Sequence, residues 1–264
     1  MAEESEWARM TGTDDRSSEE STETEERAKE RKKRSFLREL PILVLATAVI
    51  AALVVNFIGR PYVIPSESME PTLHGCYGCT GDRIFAEKIE SYWSDPQPGD
   101  VVVFAAPTES WNSDYRSVRS SNSVLRAVQN FLSYFGLIPP DEKDLVKRVI
   151  AVGGQTVQCC DSRGRVMVDG KPLDEPYVIN DSPFDPNDPN VTVENKGRAF
   201  GPIPIPPDHL WVMGDNRRNS SDSRFHQSDE FNGTVPVSAV RGKAVFKIWP
   251  PNRIGPLSSR NHQH

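Results

Sequence analysis

Hydrophobic positions along the chain fall into three regimes. Residues 1 to about 35 hold almost no aliphatic side chains; acidic residues dominate up to Glu26, and Lys29 to Arg34 is strongly basic. A segment with so little apolar surface cannot offset the entropy of ordering it, so the composition predicts a disordered tail over residues 1–35. From Leu40 to Ile58 the sequence reads LPILVLATAVIAALVVNFI, a run without a charge. At helical rise its nineteen residues cover ~28 Å, close to the hydrocarbon thickness of a bilayer. A cleaved leader has a shorter apolar stretch followed by a small-x-small site. This run exits instead through Asn56-Phe57-Ile58-Gly59-Arg60. It reads as an uncleaved transmembrane anchor, placed at residues 36–59.

Beyond the anchor the pattern changes to short β-branched and aromatic runs. Val101-Val102-Val103-Phe104, Val149-Ile150-Ala151-Val152, Val166-Met167-Val168, His209 to Met213 and Ala244 to Trp249 each read as a strand. Gly153-Gly154 and Asp169-Gly170 supply turns between them. One stretch differs: from Ser123 to Leu137 the apolar residues Val124, Leu125, Val128, Phe131, Leu132 and Phe135 recur at helical spacing, bounded by Pro139-Pro140. The expected fold is therefore one N-terminal transmembrane helix and an all-β, mostly antiparallel domain over residues 60–257. A short tail, 258–264, closes the chain.

Composition and charge narrow the function. The 264 residues carry a net charge of −6, and general nucleic-acid binders carry a basic face instead. Charge is unevenly distributed. Five basic residues lie within Arg31 to Arg38, against Arg60 on the far side of the apolar run. The positive-inside rule then puts the N-terminus in the cytoplasm and residues 60–264 outside a membrane crossed once. Cys76 and Cys79 stand in His-Gly-Cys-Tyr-Gly-Cys, and Cys159-Cys160 are adjacent. A vicinal pair is poor geometry for tetrahedral zinc, so structural disulfides are expected, with pairing within or between the two sets left open. No metal or organic cofactor is called for.

Three segments carry candidate chemistry. Ile64-Pro65-Ser66-Glu67-Ser68-Met69-Glu70-Pro71-Thr72-Leu73 places two serines in an apolar, proline-flanked stretch just after the anchor. A serine hydroxyl is a weak nucleophile and needs a base. Histidine is the usual one, but His262 and His264 are terminal, His74 is close to Ser68 in sequence, and His209 opens an apolar strand. His226 lies in a polar loop, and no G-x-S-x-G elbow supports a triad. Lysine is the alternative: Leu145-Val146-Lys147-Arg148-Val149 sets two cations in an apolar strand. With a pKa of about 10.4, roughly 1 lysine in 2,500 is neutral at pH 7, so only a desolvated Lys147 can serve as a base. The third segment, Gly214 to Arg224, follows an apolar strand with small, polar and charged residues. Such a run forms either a solvated loop or a polar network beside an active site.

Together these segments resemble the bacterial type I signal peptidases, membrane-anchored serine/lysine proteases. The likeness rests on the anchor, Pro65-Ser66-x-Ser68-Met69-x-Pro71-Thr72-Leu73, Gly81-Asp82, Gly99-Asp100-Val101-Val102, Lys147-Arg148-Val149-Ile150, and Gly214-Asp215-Asn216-Arg217-x-Asn219-Ser220-x-Asp222-Ser223-Arg224, in family order over about residues 36–250. The resemblance implies a serine endopeptidase that removes signal peptides from secretory precursors at the bilayer. It implies Ser68 as nucleophile, Lys147 as general base, Ser66 in the oxyanion hole, and Ser220 orienting the lysine amine. Asp222 and Arg224 are implied to form a stiffening ion pair, with Asp215 in the same network. Ile64, Met69, Leu73, Leu145 and Val146 are implied to line pockets for small side chains at the −1 and −3 substrate positions. A smaller β-rich insertion is implied after Lys147. Arg218, Glu67, the longer His74–Thr80 segment and the helix near 123–137 depart from the family pattern. An anchored binding domain without activity, or another Ser/Lys processing protease, are the alternative readings.

Overall fold

A computed structural model of the chain describes residues 39–76, 81–89, 93–112, 119–134, 144–178, 181 and 198–257. The expected N-terminal disordered tail and the C-terminal tail lie outside the described residues. The chain divides into two units, residues 1–52 and 53–264. Helix α1, Glu39–Ile58, is long and apolar enough to cross a membrane. Its hydroxyl-bearing Thr47 donates to the Leu43 carbonyl at 2.8 Å, so that polar group is satisfied within the helix. The last five residues, Val54–Ile58, widen into a π-helical turn.

The second unit is built on an antiparallel sheet. Its strands are β1 (Gly59–Val63), β2 (Arg83–Glu87), β3 (Val101–Ala105), β4 (Asp144–Val152), β9 (His209–Met213), β10 (Val235–Pro236), β11 (Val240–Trp249) and β12 (Gly255–Pro256). They run in the order β1-β2-β11-β3-β4-β9-β10, with β12 on β11. Between β4 and β9 the chain makes a second, four-stranded sheet. It comprises β5 (Thr156–Cys159), β6 (Val166–Val168), β7 (Lys171–Pro172) and β8 (Phe200–Pro204), ordered β7-β6-β5-β8. This smaller sheet follows Lys147 in the chain, and every run read as a strand falls within one of the strands given. The β6–β7 hairpin turns at Asp169 and Gly170, with φ of 52° and 75°, the left-handed pair that a two-residue loop requires. Helix α2, Ser123–Tyr134, occupies the stretch of helical spacing.

Strand alternation distributes the core. In β3, Val101 and Val103 join Ile64, Met69, Leu73, Ile84, Ala86 and Ala244 on one face. Val102 and Phe104 join Trp111, Val149, Leu210, Val212 and Val235 on the other. A strand buried on both faces reads as an unbroken apolar run, which is how β3 appears in sequence. In β9, Trp211 and Met213 turn towards a third cluster with Val157, Val168 and Phe200 of the smaller sheet. Phe200 and Trp211 stack at 5.2 Å between ring centres. Cys159 and Cys160 are disulfide-bonded to each other, so the two cysteine sets do not cross-link.

Candidate active site

After β1 the chain tightens into a 3-10 turn, Glu67–Met69, which buries Ser68 and Met69 and leaves Ser66 exposed. The site forms where this turn meets the middle of β4 and the loop that follows β9. Lys147 Nζ lies 2.7 Å from Ser68 Oγ. Both groups are almost closed off from solvent, Lys147 at 4% exposure and Ser68 at 8%. Ser66 Oγ stands 3.2 Å from Ser68 Oγ. Residues 79 positions apart are thus joined by a hydrogen bond short enough to carry a proton.

The loop after β9 holds the turn in place. The Asn216 N–H donates to the Ser68 carbonyl at 3.1 Å. Asn216 Nδ2 donates to the Glu67 carbonyl, and Asn219 Nδ2 to the Glu67 carboxylate at 3.0 Å. Gly214 sits where no side chain fits: a Cβ there would come within 2.2 Å of Ser220 Oγ and 2.4 Å of the Ser68 carbonyl. Ser220 donates its hydroxyl to Asp222 Oδ2 at 2.7 Å. That fixes the hydroxyl proton and leaves the oxygen's acceptor capacity to meet an amine. Asp222, fully buried, also accepts from the Gly214 N–H at 2.9 Å and from Arg224 through Nε and Nη2. Burial pushes the Asp222 carboxyl up, but Arg224, the Gly214 N–H and the charge of Lys147 outweigh it and hold the group below the usual carboxylate range.

Arg148, the next residue in β4, has a separate set of partners. Its Nε and Nη2 form a fork on Asp215 at 2.8 and 2.7 Å, and Nη1 donates to the Gly99 carbonyl. The guanidinium stacks over the Tyr177 ring at 4.1 Å. Tyr177 donates to Glu175, which pairs with Arg217. Thr72, four residues past Ser68, donates to Asp215. The Lys-Arg doublet in an apolar strand is the sequence signal for this second network, because each buried cation must find partners. Sequence reasoning followed only the lysine.

The remaining expected residues divide. Ile64, Met69, Leu73 and the partly buried Val146 share one cluster beneath the turn. Leu145 does not join them: it packs against the opposite cluster, with Val102, Phe104 and Trp111. His226 is held away from this chemistry, stacked on Trp111 at 4.1 Å and bonded to Ser110 and Ser221 hydroxyls. The Gly-Asp boxes brace the frame: Asp82 takes Arg253 and the His74 N–H, and Asp100 pairs with Lys243 at 3.1 Å. Among the described residues no group of three His, Cys, Asp or Glu side chains assembles as a metal site.

A buried lysine hydrogen-bonded to a serine, with a second hydroxyl beside it, defines an arrangement able to perform nucleophilic hydrolysis. Comparison with known proteins gives the family. The model of the family "Signal peptidase, peptidase S26" matches residues 37–249. The chain is 52% identical over 246 residues to a probable signal peptidase I of Mycobacterium leprae, covering 89% of this chain and 83% of that one. It is 52% identical over 236 residues to signal peptidase I of Mycobacterium tuberculosis, covering 88% and 79%. To signal peptidase I of Leptolyngbya laminosa it is 33% identical over 217 residues, 82% of each chain. The chain belongs to the signal peptidase family, peptidase S26, and is a peptidase.

Proposed function

We propose that this peptidase hydrolyses the bond joining a signal peptide to a secretory precursor, with Ser68 as nucleophile and Lys147 as general base. The observation that carries the reading is the 2.7 Å hydrogen bond between Lys147 Nζ and Ser68 Oγ, both buried. With the amine neutral, the Ser68 O–H donates to Nζ and the serine oxygen attacks the scissile carbonyl. The Ser66 hydroxyl and the Ser68 backbone N–H hold the resulting oxyanion. Lys147, now an ammonium, protonates the leaving amine, and the C–N bond breaks to leave an acyl-Ser68. A water then gives a proton to Lys147 as its oxygen adds to the acyl carbon, and Lys147 passes that proton to Ser68 Oγ as the ester C–O bond breaks, freeing the carboxylic acid product and restoring the dyad. Ser220 orients the lysine amine, its own proton committed to Asp222. Asp222 and Arg224 stiffen that loop, and Asp215 ties the turn to β4 through Thr72 and Arg148.

Substrates carry small side chains at −1 and −3, received above the apolar floor of Ile64, Met69, Leu73 and Val146. Helix α1 holds the enzyme in the bilayer, where the precursor's cleavage site also emerges, so both reactants are confined together. The excess of cations before α1 puts the N-terminus in the cytoplasm and residues 60–264 outside. Protease added to intact spheroplasts should therefore digest that part; digestion only after lysis overturns the orientation.

A synthetic precursor peptide with an Ala-x-Ala site, incubated with the detergent-solubilised enzyme, tests the chemistry. Wild type cleaves after the second alanine, while Ser68→Ala and Lys147→Ala, folded and unchanged in melting temperature, do not. Cleavage by Lys147→Ala at the wild-type rate refutes the dyad.

A further inference from the structure

His226 touches neither Ser68 nor Lys147, yet it is buried and hydrogen-bonded through both ring nitrogens. The ring stacks on Trp111 with 21° between the planes. Nδ1 lies 3.2 Å from Ser110 Oγ, and Nε2 lies 3.1 Å from Ser221 Oγ. Ser221 stands between Ser220 and Asp222, the two residues behind the lysine amine. The imidazole thus reaches the catalytic loop from its outer side.

Which nitrogen carries the proton follows from the neighbours. Asp229, as a carboxylate, can only accept. Its Oδ2 takes the Trp111 indole N–H at 2.9 Å and the Thr108 hydroxyl at 3.2 Å, and its Oδ1 takes the N–H groups of Phe231 and Gly233. The single hydroxyl proton of Thr108 is thereby committed. In the 2.9 Å contact between the Thr108 and Ser110 hydroxyls, Ser110 must then be the donor. With its own proton used, Ser110 Oγ accepts from His226 Nδ1–H. A neutral imidazole protonated at Nδ1 has a bare Nε2, which accepts the Ser221 hydroxyl. One carboxylate, Asp229, sets the direction of each donor along this line as far as Ser221.

We propose that His226 is a positioning residue for the peptidase reaction: by accepting the Ser221 hydroxyl it holds the Ser220–Asp222 segment in register behind Lys147. This rests on the reading of Ser68 and Lys147 as the dyad. Asp222 is anchored on its own side by Arg224 and the Gly214 N–H. Ser221 is anchored by His226, so the stretch that presents the Ser220 hydroxyl is fixed from both ends. A misplacement of about 1 Å in a catalytic group can cost about 10²-fold in rate, so partial loosening here should cost about tenfold.

The p-nitrophenyl ester of an acetylated Ala-x-Ala peptide tests it on the full, detergent-solubilised chain. Attack by Ser68 forms the acyl-enzyme and breaks the ester C–O bond to expel p-nitrophenolate, while the serine proton passes to Lys147. The burst therefore reads the step that needs the base. Rates are taken per titrated active site at about pH 8, where an ordinary histidine is neutral. His226→Phe keeps a ring on Trp111 and removes both nitrogens. Acylation should slow about tenfold, with the half-saturating ester concentration unchanged. His226→Gln offers an amide oxygen near the Nε2 position and should restore most of the rate. His226→Asn reaches only the Ser110 side and should not. Ser221→Ala should match His226→Phe, and the double variant should be no slower than either, since all three remove one bond. Wild-type acylation in His226→Phe, equal rates in the Gln and Asn variants, or additive losses in the double variant each overturn the proposal. So does an imidazole nitrogen NMR spectrum that places the His226 proton on Nε2, a readout that needs no activity. Acylation of a residue other than Ser68, or a wild-type burst in Lys147→Ala, refutes the dyad itself and the role of His226 with it.

Discussion

Lys147 and Arg148 stand side by side in β4, both almost wholly buried, yet the groups they meet differ in kind. Arg148 forks onto the Asp215 carboxylate, takes the Gly99 carbonyl and stacks on Tyr177. Burial works against its charge, but the hydrogen bonds and charge of Asp215 outweigh that and raise its pKa above the ordinary arginine value. Lys147 points at the Ser68 hydroxyl, a group that can give up a proton in return. The nearby carboxylate of Asp222 is already engaged by Arg224, Ser220 and Gly214. A cation locked in a fork serves the frame, while a lysine facing a hydroxyl can give up its proton and, as the neutral amine, act as a base. Arginine could not exchange the roles, because its guanidinium stays protonated at any working pH.

The largest effects come from removing each cation in turn, and they should separate cleanly. Lys147→Met keeps the apolar stem and removes the amine. Peptide cleavage should fall by about 10⁴ or more while the melting temperature stays within a few degrees. Arg148→Met leaves the Asp215 carboxylate buried without its fork. That should cost about 3–5 kcal/mol of stability, read as a lower denaturant midpoint. Molecules still folded should retain Ser68 reactivity towards an acylating probe. Equal loss of stability in both variants would erase the distinction between the neighbours.

Ser66 sharpens the lysine side. Its exposed hydroxyl contributes little to folding, but it stands 3.2 Å from the Ser68 hydroxyl, the proposed nucleophile. Ser66→Ala should lower kcat by about 10²–10³ with little change in KM, and Ser66→Thr should recover part of the loss. An unchanged kcat per titrated active site removes Ser66 from the oxyanion hole.

How much of this was legible in the sequence depended on range. Strands, the helix and the Asp169-Gly170 turn follow from local periodicity and turn chemistry, so they could be read directly. The meeting of Ser68 with Lys147 was readable only through motif resemblance, since nothing local links residues 79 apart. The Arg148 network was hidden because its partners, Asp215, Gly99, Tyr177 and Thr72, come from four separate segments. Leu145, named with Val146 in the lining that the resemblance implies, packs elsewhere. Alternation sends it and Val146 to opposite faces, so only one can join the cluster beneath the turn.

Acid separates carboxylates from cations in both networks. Asp222 is held below the usual carboxylate range despite burial, and so is Glu175, where burial raises the group but the charge and hydrogen bonds of Arg217 lower it further. Such groups contribute stability that is full above their unfolded pKa values, about 4, and is lost as pH falls through the lower folded values. The melting temperature should hold between about pH 5 and 7 and drop below about pH 4. Asp222→Asn and Glu175→Gln should each start less stable and show a shallower drop. A parallel drop in both variants would assign the acid loss to other groups.

The smallest expected effect tests what Tyr177 adds on the arginine side. Its ring lies 4.1 Å from the Arg148 guanidinium, while its hydroxyl donates to Glu175 at 2.9 Å. Burial and the Glu175 carboxylate push the phenol well above its ordinary pKa, so it remains a donor across the working range. Tyr177→Phe keeps the stacked face and deletes one hydrogen bond to a carboxylate that Arg217 still satisfies through two contacts. The loss should be about 1–2 kcal/mol. Tyr177→Leu deletes the stacking as well, and should cost a further ~1–2 kcal/mol, since a desolvated cation–π contact is worth about that much. Neither change touches the Lys147–Ser68 pair, so kcat on the soluble peptide should stay within about twofold of wild type. If the two variants are equally stable, the ring contributes nothing beyond its hydroxyl, and the fork on Asp215 alone holds the Arg148 charge. If kcat falls with them, the two neighbouring cations are coupled through β4 and do not act as separate centres.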